Sequence, residues 1–272
     1  MKNGKLTKSE KQELESAVVL LENPSFIIKA LNYIGKPIEK GMDLLPEKAS
    51  KQVSKAVHKS LMKGLDYAMV ASSYDKIKVE SKIKNKVLGG LSGFGGGIFG
   101  FPGLAVELPI TTVIMLKSIL EIAEAEGEDL NDLEARLACL QVFAFGGRTL
   151  NDDGAETGYY FVRNGLTELI KKSADYLVKE GIEKISEKSA PVLLRLIAKI
   201  AERFGISVTE KGMTQAIPLI GGLGGAVINL IFITHFEDMA KGHFVIRRLE
   251  RKYGKELIES EYKKIASMLN QN

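Results

Sequence analysis

Residues 87–117, VLGGLSGFGGGIFGFPGLAVELPITTVIMLK, constrain this chain more than any other stretch, because before Lys117 they carry a single ionisable residue, Glu107. A hydrophobic run of roughly 18 or more residues with few charges has the length of a membrane span. Here eight glycines (Gly89, Gly90, Gly93, Gly95, Gly96, Gly97, Gly100 and Gly103) and two prolines, Pro102 and Pro109, interrupt the run. Each proline removes a backbone donor, and glycine costs about 1 kcal/mol relative to alanine in a helix interior, which argues against one straight span. The pattern predicts a break near residues 100–103 into two close-packed helical pieces, with the Glu107 carboxylate beside the break.

A second uncharged run, MTQAIPLIGGLGGAVINLIFIT at 213–234, has Pro218 near its start and repeats the arrangement of a Gly-rich half before a Leu/Ile-rich helix. Small residues let helix backbones approach closely, so the two runs are expected to pack together as helical hairpins. Phe94, Phe99, Phe101 and Leu104 on the first, and Leu219 and Leu223 on the second, are the candidate contacts to lipid or to an apolar ligand.

Amphipathic helices surround these runs. Thr7 with Glu10 forms a capping-box pattern ahead of a helix ending near Asn23 and Pro24. Pro46 is placed to open a helix reaching about residue 72, with Lys51, Lys55, Lys59 and Lys63 striping one face and Val53, Val57, Leu61, Leu65 and Met69 available to bury the other. The apolar helix at 104–126 ends in the acidic EGEDL, and Asn131 with Glu134 marks the cap of the next helix, expected to stop at Gly146 and Gly147. Residues 151–154 read as an exposed loop. Two or three helices follow over 156–204, separated near Gly181 and Pro191, then one helix continues from the second run to Gly254, and a short one closes the chain at 255–269. No stretch alternates with period two for long. The expected fold is therefore all-α, a multi-helix bundle built around the two Gly-rich hairpins, with N-terminal amphipathic helices over 1–84 and a compact helical core over 85–272.

With 45% hydrophobic and 26% charged residues, the 272-residue chain has the composition of a folded protein. Its 38 basic and 34 acidic residues are too balanced to point to nucleic acid, and no aromatic residues interleave with the lysine stripe. Where the lysines fall is more informative. Lys2, Lys5, Lys8 and Lys11 load the N-terminus, and nine lysines fall within 51–86, just ahead of the apolar run, a placement that suits an anionic membrane surface. The single cysteine, Cys139, rules out an intramolecular disulfide framework and fits inert packing in a reducing compartment. The N-terminus lacks the apolar region of a secretory signal, so a cytoplasmic address is expected.

Four passages resemble the EcsC family: FGFPGLAVELPITTVIMLKSI at 99–119, EGEDL at 126–130, ARLACLQVFAFGG at 135–147 and HFEDMAKGHFVIRRLERKYG at 235–254. The resemblance covers most of the chain from about residue 85 onward, and ELP-x-TT together with HF-x-x-MA-x-GHF is the specific part. It implies a bacterial protein linked to the cell envelope and to an ABC transporter, the family being named for a protein encoded beside one. It brings no catalytic residues to carry over.

The chemistry-bearing residues are Glu107, His235, Asp238 and His243. On one helix, His235 and Asp238 lie about 60° apart and can converge, whereas Asp238 and His243 are about 140° apart, and the paired-histidine spacing of zinc proteases is absent. If Glu107 faces His235, then Glu107, His235 and Asp238 would form a buried cluster able to hold a divalent metal or move a proton. The competing reading has Glu107 accepting backbone N–H groups at a helix start and His235 as a satisfied core histidine. His243 is expected to pair with the neighbours of Asp238 or with solvent, and Arg247 and Arg248 to join a basic surface edge. There is no P-loop, dinucleotide fingerprint or nucleophile elbow, so no nucleotide cofactor is expected. The expected function is that of a non-enzymatic accessory protein at the cytoplasmic face of the membrane, working with ABC transporter components and a lipid or apolar peptide. The alternative is a metal- or acid/base-dependent hydrolase using Glu107, His235 and Asp238.

Overall fold

The computed structural model describes residues 5–22, 47–70, 100–146, 158–181, 190–215 and 224–269. Side chains at 47–49, 100–106, 213–215 and 224–226 are not among those described. Eight α-helices and no strand occur among the described residues: α1 (Lys8–Leu21), α2 (Glu47–Val70), α3 (Gly100–Ala125), α4 (Leu133–Gln141), α5 (Gly158–Glu180), α6 (Pro191–Gln215), α7 (Gly224–Tyr253) and α8 (Lys255–Leu269). A 3-10 turn, Val142–Ala144, extends α4. The chain is an all-α bundle, as its patterning predicts.

Local chemistry sets several boundaries. Thr7 caps α1 through a reciprocal capping box with Glu10. Gly181 and Gly254 follow α5 and α7 with φ of 85° and 94°, in the left-handed region that ends helices at low steric cost. Pro191 opens α6, where its missing N–H costs nothing. Two boundaries differ from expectation. The α4 cap is Asp132, not Asn131, because its carboxylate reaches the Glu134 N–H at 3.0 Å while the Asn131 amide turns to Asp129. α4 also tightens into the 3-10 turn at Val142, before the glycine pair.

Over the described part of the expected break near 100–103, α3 runs unbroken from Gly100 through Pro109. Pro102 sits in its first turn, where backbone donors have no helical partner in any case. The preceding glycines, with Phe94 and Phe99, lie outside the described residues, as do Leu219 and Leu223 and the boundary between residues 84 and 85. Among the described residues no helix is long and apolar enough to cross a membrane.

The core lies where α4 and its 3-10 extension thread the bundle, with every residue from Ala135 to Ala144 buried. α2 packs on α3 and α6, α1 on α7 and α8, and α7 on α3 and α6. Phe143, Phe204, Phe232 and Phe236 form the aromatic centre, with Phe143 and Phe204 at a centroid distance of 4.8 Å. On α2, Val53, Val57, Leu61, Leu65 and Met69 are all buried while Lys51, Lys55, Lys59 and Lys63 are exposed, so the lysine stripe faces outward as expected. α1 and α2 share one apolar core with the later helices, through Leu14, Val18, Leu61 and Leu65.

α1 approaches α7 closely at Gly242, where an added Cβ would lie 2.6 Å from Leu21 Cγ and 3.1 Å from the Ala17 carbonyl. Gly165 on α5 faces open space. Gly242→Ala is therefore expected to destabilise by about 1–3 kcal/mol despite its better helix propensity, and Gly165→Ala to stabilise by about 0.5–1 kcal/mol. Urea unfolding of the two variants, read at constant slope, measures both signs.

Candidate functional site

α3 and α7 run side by side in the same direction, and buried charges fix both ends of the pair. At the end where both helices begin, Lys211 of α6 lies between them. Its Nζ donates to Glu107 Oε1 of α3 at 2.8 Å and sits 4.8 Å from the ring centroid of Phe232 on α7. The Lys211 side chain is fully buried and that of Glu107 is 33% exposed, so the pair opens to solvent on the carboxylate side. Burial lowers the Lys211 pKa against the opposing pull of Glu107. Beside it on α6, burial pushes the Glu210 carboxyl up to about 7.

At the far end, α7 presents a run of cations to the acidic turn after α3. Arg247 holds Glu128 with two bonds of 2.9 and 2.7 Å, and Arg251 also reaches Glu128. Arg248 bridges Glu126 at 2.7 Å and Glu13 of α1 at 2.5 Å, while Lys252 and Tyr253 take Glu10. Gly127, with φ of 78°, lets the chain reverse between the two carboxylates, which explains the EGEDL passage. Arg247 and Arg248 are thus not a basic surface edge. Their guanidinium groups match carboxylate geometry bidentately, and the turn supplies those carboxylates.

Glu107, His235 and Asp238 lie on separate contacts. Glu107 is taken by Lys211, not by backbone N–H groups, since it sits nearly two turns inside α3, where those groups are already paired. His235 is 3% exposed, and its Nε2 lies 3.2 Å from the Gly146 carbonyl. Asp238 stands at the surface side of α7 with Lys241 at 3.9 Å. No group of three or more His, Cys, Asp or Glu side chains is placed to hold a metal ion among the described residues. Gly146 explains part of the ARLACLQVFAFGG passage: a Cβ there would lie 2.7 Å from Phe236 and 2.8 Å from His235 Nε2. Cys139 is fully buried and its thiol is pushed well above its ordinary range by desolvation, as fits an inert core residue.

His243 takes a partner that the sequence does not announce. It is completely buried, with Nδ1 at 2.8 Å from the Tyr159 hydroxyl. Arg163 donates to that same hydroxyl oxygen at 3.3 Å and clamps Glu250 with bonds of 2.8 and 2.5 Å, while Tyr160 donates to Glu250 at 2.9 Å. The Tyr159 oxygen thus joins Arg163 and the His243 imidazole in one chain of hydrogen bonds. Desolvation, then the nearby Arg163 and Arg247 charges, hold the His243 pKa well below its usual value. Residues Tyr159 and Arg163 are one helical turn apart on α5, and only their placement against α7 reveals the network. Sequence reasoning also missed Lys211, one of two lysines in an amphipathic helix and with no local mark of burial.

The apolar character of the bundle is graded along its length. On the outer face of α3, Glu107 is followed by Ile110, 43% exposed, then half-buried Val113 and Ile114, and charge resumes at Lys117 and Glu121. α7 repeats this with half-buried Val227, Leu230 at 64% exposure and half-buried Ile231, before Asp238 and Lys241. α2 runs parallel to α3, since Gly64 lies against Thr112 and Leu116, while Tyr67, further along, feels the charge of Glu121. Its lysines at 51–63 therefore extend toward the end where α3 and α7 begin. A shallow groove lined by Lys55, His58, Lys59, Met62 and Lys63 follows that face.

The architecture is that of a helical bundle pinned by buried charge, with one cationic and apolar end. The chain belongs to the EcsC protein family, whose model matches residues 12–249, so the match begins within α1 and takes in α2 as well as the later passages. No curated protein and no solved structure matches it.

The buried titratable groups make the stability depend on pH. His243 has a depressed pKa in the folded state, so its contribution is fully present above its unfolded value near 6.5 and is lost as pH falls. Glu128 is raised by burial but lowered further by Arg247 and Arg251, and its contribution is lost only at lower pH, through the carboxylate range. Glu210, whose carboxyl is raised to about 7, acts in the opposite direction over the same interval, so the His243 contribution is read as a difference: from pH 6.5 to 5 the native chain is expected to lose about 1.5 kcal/mol relative to His243→Phe. Urea titrations at both pH values read the difference.

Proposed function

We propose that this chain is an accessory protein that binds the cytoplasmic face of the cell membrane beside an ABC transporter and there handles a lipid or an apolar peptide. The observation that carries the membrane part is the common direction of three features. The exposed lysine stripe of α2 extends toward the end at which α3 and α7 begin, and exposed Ile110 and Leu230 stand in the first halves of those two helices. Lysines at the headgroup level and apolar side chains beside them suit an anionic bilayer, which attracts each nearby cation by about 1 kcal/mol. The transporter part rests on family membership alone.

Non-enzymatic action is favoured because Glu107, His235 and Asp238 make separate contacts. His235→Ala separates this reading from a hydrolase: the accessory protein loses stability only, whereas a hydrolase loses turnover or bound metal while still folded.

Replacing Lys51, Lys55, Lys59 and Lys63 together by Gln is expected to weaken binding to phosphatidylglycerol-containing vesicles roughly 100-fold or more while leaving the fold intact, since all four are exposed. Flotation with these vesicles measures it. Unchanged flotation would sink the electrostatic mode, and resistance of the native protein to both salt and carbonate washes would replace it with insertion.

A further inference from the structure

The Glu107–Lys211 pair has an uneven design. The ammonium is the fully buried partner, and the carboxylate that neutralises it stands one-third exposed at the mouth. Removing a buried cation from its counter-ion is costly, whereas an exposed carboxylate returns to water at little cost. Glu107 is therefore the partner that can leave. Around Lys211, hydrogen-bonding capacity is left over. Among the described residues its ammonium makes one hydrogen bond, to Glu107, and lies against the Phe232 ring, so donor capacity remains. One turn before it on α6, the completely buried Ser207 hydroxyl has no hydrogen-bond partner among the described residues, although a helical serine often bonds the carbonyl four residues back. One turn before Phe232 on α7, Asn229 is 6% exposed and its Oδ1 is likewise without a partner. Buried polar side chains without partners are uncommon, and here two lie on the helix faces that meet near Lys211. From Glu107 the outer face of α3 continues as an apolar strip, Ile110, Val113 and Ile114, that ends at Lys117.

We propose that Lys211 is the head-group site for a single-chain anionic amphiphile, whose carboxylate or phosphate displaces Glu107 while its acyl chain lies along the Ile110–Val113–Ile114 strip. Ser207 donates to the anionic head beside Lys211. Glu107 acts as the resident counter-ion that keeps the lysine neutralised when the site is free. The inference deepens the lipid part of the reading above, but it concerns a site separate from the lysine stripe.

Calorimetric titration of the full chain with dodecanoate and with dodecyl phosphate tests it, the two probes distinguishing a fatty-acid source from a phospholipid-type head. Saturable binding of at least one probe is expected. Lys211→Met should weaken it about tenfold or more, and Glu107→Gln should tighten it several-fold by removing the competing charge. A purely structural ion pair gives no reason for Glu107→Gln to bind more tightly. No saturable binding by the native chain overturns the proposal, as does equal binding by Lys211→Met or unchanged or weaker binding by Glu107→Gln. If Lys211→Met does not fold, Glu107→Gln alone decides. Vesicle flotation of Glu107→Gln at the native level would show that the membrane reading stands or falls separately.

Discussion

The two-point contact of Arg247 with Glu128, reinforced by Arg251 and by Arg248 on Glu126, fixes how α3 and α7 lie. α3 and α7 each begin in a Gly-rich apolar segment, and apolar surface alone accepts either a parallel or an antiparallel pairing. Guanidinium groups near the end of α7 need carboxylates, and the turn after α3 is where Glu126 and Glu128 stand. The parallel arrangement meets that need. Reversing either helix would leave the almost fully buried Glu128 without its cations, at a cost of several kcal/mol. Arg248 extends the same constraint to α1 through Glu13, which holds the N-terminal helix where Gly242 allows close approach.

Because the ends of α3 and α7 are matched in this way, the molecule is polar along its length. One end carries the arginine clamp and the capped acidic turn. The other carries the beginnings of both apolar helices, the outward lysines of α2 and the Lys211–Glu107 pair. Charge is thus treated differently at the two ends. At the clamp each guanidinium meets oxygen in bidentate or bridging geometry, which adds orientation to attraction. At the opposite end one buried ammonium meets a one-third-exposed carboxylate and an aromatic ring, a looser arrangement that leaves bonding capacity unused among the described residues. Between them, the neutral His243 and its Tyr159–Arg163–Glu250 chain tie α5 to α7 inside the core. A core with this many buried charges depends on their pairing, and its stability on pH.

The order of helices, most of their boundaries and the division of α2 into a lysine face and a buried face were legible in the chain itself. These follow from short-range physics: a capping box at Thr7, left-handed glycines at Gly181 and Gly254, a proline at the start of α6, and a 3.6-residue period. The partners of the charged residues were not legible. Arg247 and Arg248 read as a basic edge because nothing within a few residues announces Glu126, Glu128 or Glu13, which lie more than a hundred positions away. Lys211 and His243 gave no sign of burial for the same reason, and Glu107, His235 and Asp238 appeared able to converge because helical spacing fixes direction on one helix but not between helices. Hydrophobic period and caps are set by neighbours in sequence, so the chain determines them alone. Which buried charge meets which is set by how helices cross, and only the tertiary structure decides it.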